Sequence, residues 1–586
     1  MNNLTIDQSR IDAIARIATA KSSESEALLT KFIHIYYQYL HHDVAKSISD
    51  ADLAGMALHH FSLLKNHNGQ SPRLAVINPV SDEHYFSSKK SVIQMAAFDR
   101  PFLTDTMLMS LEKKGVAVHR IYTNIVKVVR DTSGAIVDVI GADESDANIS
   151  QQYSLFHCEI ARQDVEKLAE IHDALLAKIN TLDVIVADWS QMRDKLNSIR
   201  QEMASVPVPT EYNSKEEVLD FLEWVGDENF IFMGFREYRF DGLGEDAELY
   251  SVGGSGLGVL RGLSEDSLCQ SCHRLPRQLK GMLSLPRAIL LSKSRHESPV
   301  HRPVYMDFLG IHKYDEQGKL IGEYRFVGLL TSRAYQTRVR NIPLLREKAN
   351  QILELSGFAK NSHNYFKLAH IVNTLPRDDL FQAGIDELYP MVTAISQLQD
   401  KNRLRLFTRI DHYQRFVSCL VYIPRHKFDT ELRIKIQNLL TQAFGGESSN
   451  FTTEFNELHH ARVHIHVRTI PGKVKPVDTA LLEDKLGALM QDWSDEYARA
   501  LSEELGESEA NRIISNYGDS VPAAYKERYD ANTAVADTKR LLTISSQEPM
   551  AWRLYQPVGE SADKLTLKLY GQGEPSILSH VLPILE

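Results

Sequence analysis

Cysteine is scarce in this chain: four residues in 586, at Cys158, Cys269, Cys272 and Cys419. So few thiols in so long a chain do not make a disulfide framework, and the cytoplasm is the expected compartment. No apolar run approaches the length that spans a bilayer, and the first residues lack the apolar core and cleavage site of a secretory signal. Charge of one sign is not concentrated anywhere. The formal charge is -11, with acidic and basic residues interspersed. That pattern gives no footprint for nucleic acid and no polybasic membrane patch. The signatures HExxH, the Walker loop and an ordered Ser-His-Asp set are missing as well.

What is present begins with length. A chain of 586 residues exceeds one core and suggests about three to five domains. The most legible stretch is Ser91 to Ile140. It reads as an apolar strand, a turn at Asp99-Arg100-Pro101, a helix, and two strands joined by a turn at Asp131–Gly134. Pro101 suits a first helical turn, where its missing N–H would be unpaired anyway. Phe102, Leu103, Met107, Leu108 and Leu111 form a helical stripe that Gly115 ends. Val116 to Val129 is rich in β-branched residues. The expected unit is a βαββ sandwich with one helical layer. The same pattern returns at the end of the chain: setting Pro575 on Pro101 places Leu582 on Leu108, Leu585 on Leu111 and Glu586 on Glu112. A less similar relative lies at Arg403 to Arg468. A repeated unit that cannot bury its sheet face alone suggests copies packed together or on partners. Because Glu586 falls inside the last helical pattern, the chain is expected to be a fragment.

Between these units the reading is coarser. Residues 1–65 are a helical segment. The first module spans 70–160, with a short strand at Arg73–Asn78 and a further edge strand at Phe156–Ile160. Residues 161–205 are a helical connector, with a break or kink expected at Asn180-Thr181. Prolines at 207 and 209 mark a linker. Residues 214–397 form an α+β module with flanking helices. It opens on a capping box of Ser214 and Glu217 and includes strands near Phe230, Ala288, Tyr305 and Lys319. The second βαββ module occupies 400–470, a helical linker with Asp495/Arg499 and Glu509/Arg512 pairs occupies 471–545, and the third module starts at 550 and runs to 586.

Several motifs suggest chemistry. The glycines at 253–258 fail as a dinucleotide fingerprint, because Val259 stands where a GxGxxG needs glycine and no βαβ unit surrounds them; they read as a flexible loop. Cys269, Cys272 and His273 match the c-type haem attachment pattern, but three fixed letters recur by chance. His41-His42 and His59-His60 have no zinc-ligand spacing, since neighbours on a helix point about 100° apart. His464 and His466 share a strand face expected to meet solvent. Arg409, Asp411, Arg415 and Arg425 gather near two strand ends, as a salt-bridge network or as a seat for a small anionic effector.

At Asp99–Thr106, at Phe407–Phe428 and at Tyr570–Glu586 the sequence resembles the N-terminal part of the large bacterial NAD-specific glutamate dehydrogenases. The resemblance spans the whole chain. It implies ACT-like modules at 70–160, 400–470 and 550–586, and a PAS-like module within 214–397. In that family the NAD-binding domain and the catalytic lysine lie beyond the equivalent of Glu586. The resemblance therefore implies no catalytic residue, no metal and no cofactor site here, with NAD bound by the complete enzyme's downstream catalytic domain. It further implies self-association through the ACT-like modules and a possible amino-acid effector. At the first module, N–H groups around Asp99 and Arg100 could receive an effector's carboxylate and Asp105 its ammonium group. The alternative is a stand-alone amino-acid sensor or scaffold without an enzyme.

Overall fold

The computed structural model describes residues 5–586 apart from 68, 70, 145–150, 210, 212, 243, 263–275, 277–279, 286, 399–402, 456–459, 491–492, 557–564, 572–582 and 584–586. They form two compact units. The first comprises Met1–Ser396, Ile410–Phe416 and Ile470–Gly472; the second comprises Gln397–Arg409, Val417–Thr469 and Lys473–Glu586. The Cys269-Cys272-His273 motif and the stretch from Pro575 to Leu582 lie outside the described residues.

The first unit starts with α1 (Gln8–Ala20), α2 (Glu26–Tyr37), α3 (His42–Lys46) and α4 (Asp50–Lys65). Ser49 caps α4 by accepting from the Asp52 N–H at 3.1 Å, with Asp50 and Asp52 in the first turn where the helix dipole favours them. An antiparallel sheet follows, built from β1 (Arg73–Ile77), β2 (Ser91–Phe98), β3 (Val118–Arg130), β4 (Ile136–Gly141) and β5 (Gln151–Ile160), in the order β1-β2-β5-β3-β4. The short α5 (Ser81–His84) and α6 (Leu103–Lys113) lie in its connections. Strand alternation sends Ile93, Met95 and Ala97 to the face where Leu103, Met107 and Leu111 of α6 pack. Val92 and Ala96 go to the opposite face, against the N-terminal helices. β5 is not the edge strand expected from Phe156–Ile160. It lies between β2 and β3, and its run from Tyr153 to Ile160 is buried throughout because both faces of the sheet are covered.

The connector is α7 (Val165–Ser205), a helix of 41 residues and so about 60 Å long. It runs unbroken through Asn180-Thr181. The Thr181 hydroxyl donates back to the Ala177 carbonyl at 2.9 Å, and Ile179 and Leu182 are fully buried on either side. Its first half packs with α6 and the first sheet, and Met192, Leu196, Ile199 and Met203 pack into the next core.

That next core belongs to α8 (Lys215–Trp224) and to β6 (Phe230–Asp241), β7 (Glu248–Ser251), β8 (Leu257–Gly258), β9 (Ile289–Glu297), β10 (Tyr305–Tyr314) and β11 (Leu320–Leu330). The order is β7-β6-β11-β10-β9, with β8 also paired to β6. Half of the predicted capping box forms: Ser214 accepts from the Glu217 N–H at 3.2 Å. The Glu217 carboxylate turns instead to the Leu344 N–H, at 2.6 Å, and to Arg346, at 2.5 Å. The glycine-rich stretch is not a free loop. Leu257 and Gly258 pair with β6, and the buried Asp188 of α7 accepts from the Gly258 N–H at 2.7 Å and from Arg261. Gly258 has φ +58°, and a Cβ there would fall 2.1 Å from the Met233 carbonyl oxygen, so only glycine fits. α9 (Ser332–Gln336), α10 (Leu345–Leu355), α11 (His363–Thr374), α12 (Arg377–Gln382) and α13 (Ile385–Ser396) complete the series up to Ser396.

The second unit holds a sheet of β12 (Arg405–Ile410), β13 (Phe416–Pro424), β14 (Ser448–Phe455) and β15 (His460–Arg468), ordered β12-β13-β15-β14. α14 (Thr430–Phe444) covers it and ends at Gly445, φ +67°, in a left-handed cap. α15 (Thr479–Leu489), α16 (Trp493–Leu505), α17 (Glu507–Tyr517), α18 (Ala523–Arg528) and α19 (Ala531–Leu541) follow. The predicted Glu509–Arg512 pair is present, whereas Asp495 pairs with Lys427 at 2.6 Å and Arg499 with Glu503 at 3.5 Å. The hairpin of β16 (Met550–Tyr555) and β17 (Thr566–Gly571) closes the described part. Separate antiparallel sheets with their own helices make the chain α+β. No helix of the described residues is long and apolar enough to cross a membrane.

Candidate functional site

The turn before α6 places Asp99, Arg100 and Asp105 near one another along the chain, but each has an internal partner. Asp99 gives its N–H to the Gln152 carbonyl at 2.9 Å. Arg100 pairs with Asp183 of α7. Burial pushes the Arg100 guanidinium down and the Asp183 carboxyl up, each against the pull of the other. Asp105 meets His301 Nδ1 at 2.8 Å, and the His301 N–H donates to Thr106 Oγ1 at 3.1 Å. The turn between β9 and β10 thus covers the start of α6, with the Phe102 and His301 rings 4.4 Å apart.

Asp411 and Arg415 are also brought together. The buried Asp411 carboxylate accepts from Ser292 Oγ at 2.7 Å, the Tyr413 N–H at 3.1 Å and Arg415 Nε at 3.3 Å. Arg415 donates in addition to Ser292 Oγ at 2.9 Å. Arg409 is buried in β12, and Arg425 lies over the Phe455 ring, 5.6 Å from its centre. Of the histidines of β15, His464 differs from expectation: it is buried, with the Ser418 hydroxyl 2.8 Å from Nε2. Among the described residues no group of three or more His, Cys, Asp or Glu is placed to hold a metal ion.

A third place went unread in the sequence. A cavity of about 280 Å³ lies beside the first sheet, lined among others by Ser47, Ser49, Lys90, Arg120, His157 and Glu159. Antiparallel register builds it. Gln94 of β2 and Tyr122 of β3 both stand opposite His157 of β5, and Arg120 stands opposite Glu159. Arg120 donates to Glu159 at 3.2 Å and to Ser47 Oγ at 3.1 Å, and Lys90 Nζ is 3.6 Å from the other Glu159 oxygen. Gln94 Nε2 donates to the Met56 carbonyl at 3.0 Å, which fixes its amide; the second N–H points to His157 Nδ1, also at 3.0 Å. His59 Nδ1 is 2.5 Å from Gln94 Oε1. His157 therefore accepts at Nδ1 and carries its proton on Nε2. Burial, the largest cause, and the nearby Arg120 charge hold its pKa well below the ordinary value, and the ring stays neutral. Its Nε2 is buried with no hydrogen-bond partner among the described residues. Such an unpaired donor costs about 1–3 kcal/mol.

Behind this cavity the polar chain continues. Tyr122 stacks on His157 with centroids 4.7 Å apart, and its hydroxyl is 2.8 Å from that of Tyr36. Tyr36 in turn meets His60 Nδ1 at 2.8 Å, while His60 Nε2 reaches the Met95 carbonyl at 2.8 Å. A carbonyl only accepts, so His60 bears its proton on Nε2 and Tyr36 donates to Nδ1.

Comparison with known proteins places these sites in a series of modules. Residues 32–175 match the model described as glutamate dehydrogenase, ACT1 domain; 342–401 match helical motif 1; 405–494 the ACT2 domain; 500–544 helical motif 2; and 549–586 the ACT3 domain. Parts of the chain thus resemble glutamate dehydrogenase ACT domains and helical motifs, while 176–341 lie outside these matches. Over 563 residues it is 32% identical to the NAD-specific glutamate dehydrogenase of Pseudomonas aeruginosa, covering 95% of this chain and 34% of that protein. The enzyme of the same name from Halomonas elongata is 32% identical over 601 residues, covering 100% of this chain and 37% of the relative. That of Mycobacterium tuberculosis is 25% identical over 518 residues, covering 84% and 30%. The chain thus spans about a third of the length of the curated relatives it matches. A solved structure of PelD residues from 158 to the C-terminus, from Pseudomonas aeruginosa PAO1, aligns at 13% identity over 51% of this chain and 83% of that one. Its TM-score of 0.12 is too low to relate the folds.

The ACT1 match begins inside α2 and so includes α4 with the sheet it covers, where the sequence reading drew the module from residue 70. The cavity, the Asp99–Asp105 turn and the Tyr36–His60 chain all fall within ACT1, and Asp411 and Arg415 within ACT2.

Proposed function

We propose that this chain is the N-terminal regulatory and oligomerising region of an NAD-dependent glutamate dehydrogenase. The complete enzyme would oxidatively deaminate L-glutamate to 2-oxoglutarate and ammonium, with hydride transfer to NAD. The observation that carries this reading is that matches to ACT1, helical motif 1, ACT2, helical motif 2 and ACT3 follow one another in that order along one chain. In it, glutamate and NAD are held at reacting distance by residues outside this chain, and no residue here is catalytic. The last hairpin supports an assembly role. Met550, Trp552, Leu554, Leu567 and Leu569 share one exposed face, and a two-stranded sheet is marginal until such a face is buried. An amino-acid effector at Asp99, Arg100 and Asp105 would have to displace Asp183 and His301.

Two experiments test the reading together. Sedimentation equilibrium of the 586-residue chain should find self-association, weakened when Trp552 and Leu554 are both replaced by serine. Deleting these modules from a polypeptide of the relatives' length should change its assembly state or the glutamate dependence of its rate. A strictly monomeric chain whose deletion leaves both unchanged would overturn the reading.

A further inference from the structure

We propose that the apolar face of the β16–β17 hairpin seats the segment Ile577–Leu585 of this same chain, which covers Leu567 and Leu569. The hairpin repeats the β1–β2 pair of the first module. Setting Pro575 on Pro101 places Leu567 on Ile93 and Leu569 on Met95. The pairing agrees: Leu74 stands opposite Met95 and Val76 opposite Ile93, as Trp552 stands opposite Leu569 and Leu554 opposite Leu567. Alternation then divides the two faces alike in both places.

One face is already taken. Arg553, Lys568 and Tyr570 turn to Asp537 of α19, which accepts from them at 3.1, 2.5 and 2.6 Å. The other face holds Trp552, Leu554, Leu567 and Leu569, between 37% and 65% exposed. In the first module the matching Ile93 and Met95 are fully buried, packed with Leu103, Met107 and Leu111 of α6. On the same alignment those three fall on Ile577, Val581 and Leu585, spaced four apart as one side of a helix requires. Pro583, the described residue among 572–586, is helical. Five residues separate Gly571 from Ile577, as five separate Ala97 from Leu103. A link of that length reaches about 20 Å at most, which keeps the segment beside the strand it leaves. Trp552 and Leu554 take the places of Leu74 and Val76, which meet α7 in the first module. That half of the face is left to a second copy, and the cover over β17 does not depend on one.

The test is hydrogen–deuterium exchange of the 586-residue chain, read by mass spectrometry at 565–571 and 577–585, at a low and a high protein concentration. Both segments should exchange at least about tenfold more slowly than a free peptide of the same sequence, at either concentration. Ile577→Ser with Val581→Ser should raise exchange at least about tenfold in both, while β5 of the first sheet keeps its protection and reports an intact fold. Leu569→Ser, made on the strand side, should release 577–585 as well. Exchange of 577–585 at the free-peptide rate in the parent would overturn the proposal. So would unchanged exchange at 565–571 in the double variant, or protection there that appears only at high concentration, which would make a second copy the occupant. Failure of the chain to self-associate alters none of these readouts, so the two readings fail separately.

Discussion

Asp105 Oδ2 lies 2.8 Å from His301 Nδ1, and one turn away Arg100 pairs with Asp183. The two contacts pin the start of α6 to the β9–β10 turn and to α7. They differ in weight. Asp105 is more than half exposed, so Asp105→Asn should change stability by no more than about 0.5 kcal/mol. Arg100→Ala leaves the half-buried Asp183 without its partner, and a loss of about 1–2 kcal/mol is expected. Urea denaturation followed by fluorescence would compare the two; equal effects would contradict this ordering.

The first module should weaken in mild acid. Burial brings His60 down to about 3, so it stays neutral in the fold, while the unfolded chain takes up a proton below about 6.5. The unfolded state then binds more protons, and stability falls as pH drops from about 6.5 towards 3. By pH 4.5 this one residue costs about 2–3 kcal/mol, and His157 acts in the same direction. Melting temperature measured from pH 7.5 to 4.5 should show the decline, and His60→Gln should flatten it. An unchanged slope in the variant would reject His60 as the source.

Lys293 lies 2.5 Å from Asp307 and 3.2 Å from Asp378, with the Leu330 N–H 2.7 Å from the second Asp307 oxygen. Burial opposes the charge on Lys293, but the two aspartates prevail and hold its pKa well above the ordinary value. Lys293→Met would leave Asp307 buried without its cation and should cost about 3–5 kcal/mol. Adding Asp307→Asn should recover part of that loss. A single variant as stable as the parent would mean the pair carries no weight.

Gly258→Ala should destabilise by about 2 kcal/mol or more, since it needs both a left-handed backbone and room beside the Met233 carbonyl. Gly254→Ala, whose Cβ meets nothing within 4 Å, should cost less despite φ +68°. Thermal denaturation of the pair checks the order.

Much of this architecture is legible from residue order. The helix after Pro101, the connector after Asp164 and the α+β character follow from local periodicity. The central place of β5 does not, because a buried apolar strand reads alike at an edge or in the middle of a sheet. The cavity is harder still. Gln94, Tyr122 and His157 meet only through the register of three strands, and His59 and His60 arrive from α4. One local signal was there: a glutamine within Ser91–Phe98 and a histidine within Gln151–Ile160 interrupt otherwise apolar inward positions. The stretch 253–258, read as a flexible loop, misled for the opposite reason, since at Gly258 close backbone approach to β6 selects glycine as strongly as loop freedom does.

The most direct test of the central claim is glutamate-dependent reduction of NAD by the purified 586-residue chain, followed at 340 nm beside a polypeptide of the relatives' length. The account predicts turnover by the longer polypeptide and none by this chain. Turnover by this chain at the rate of the longer polypeptide would contradict it, because the reacting groups would then lie among these residues.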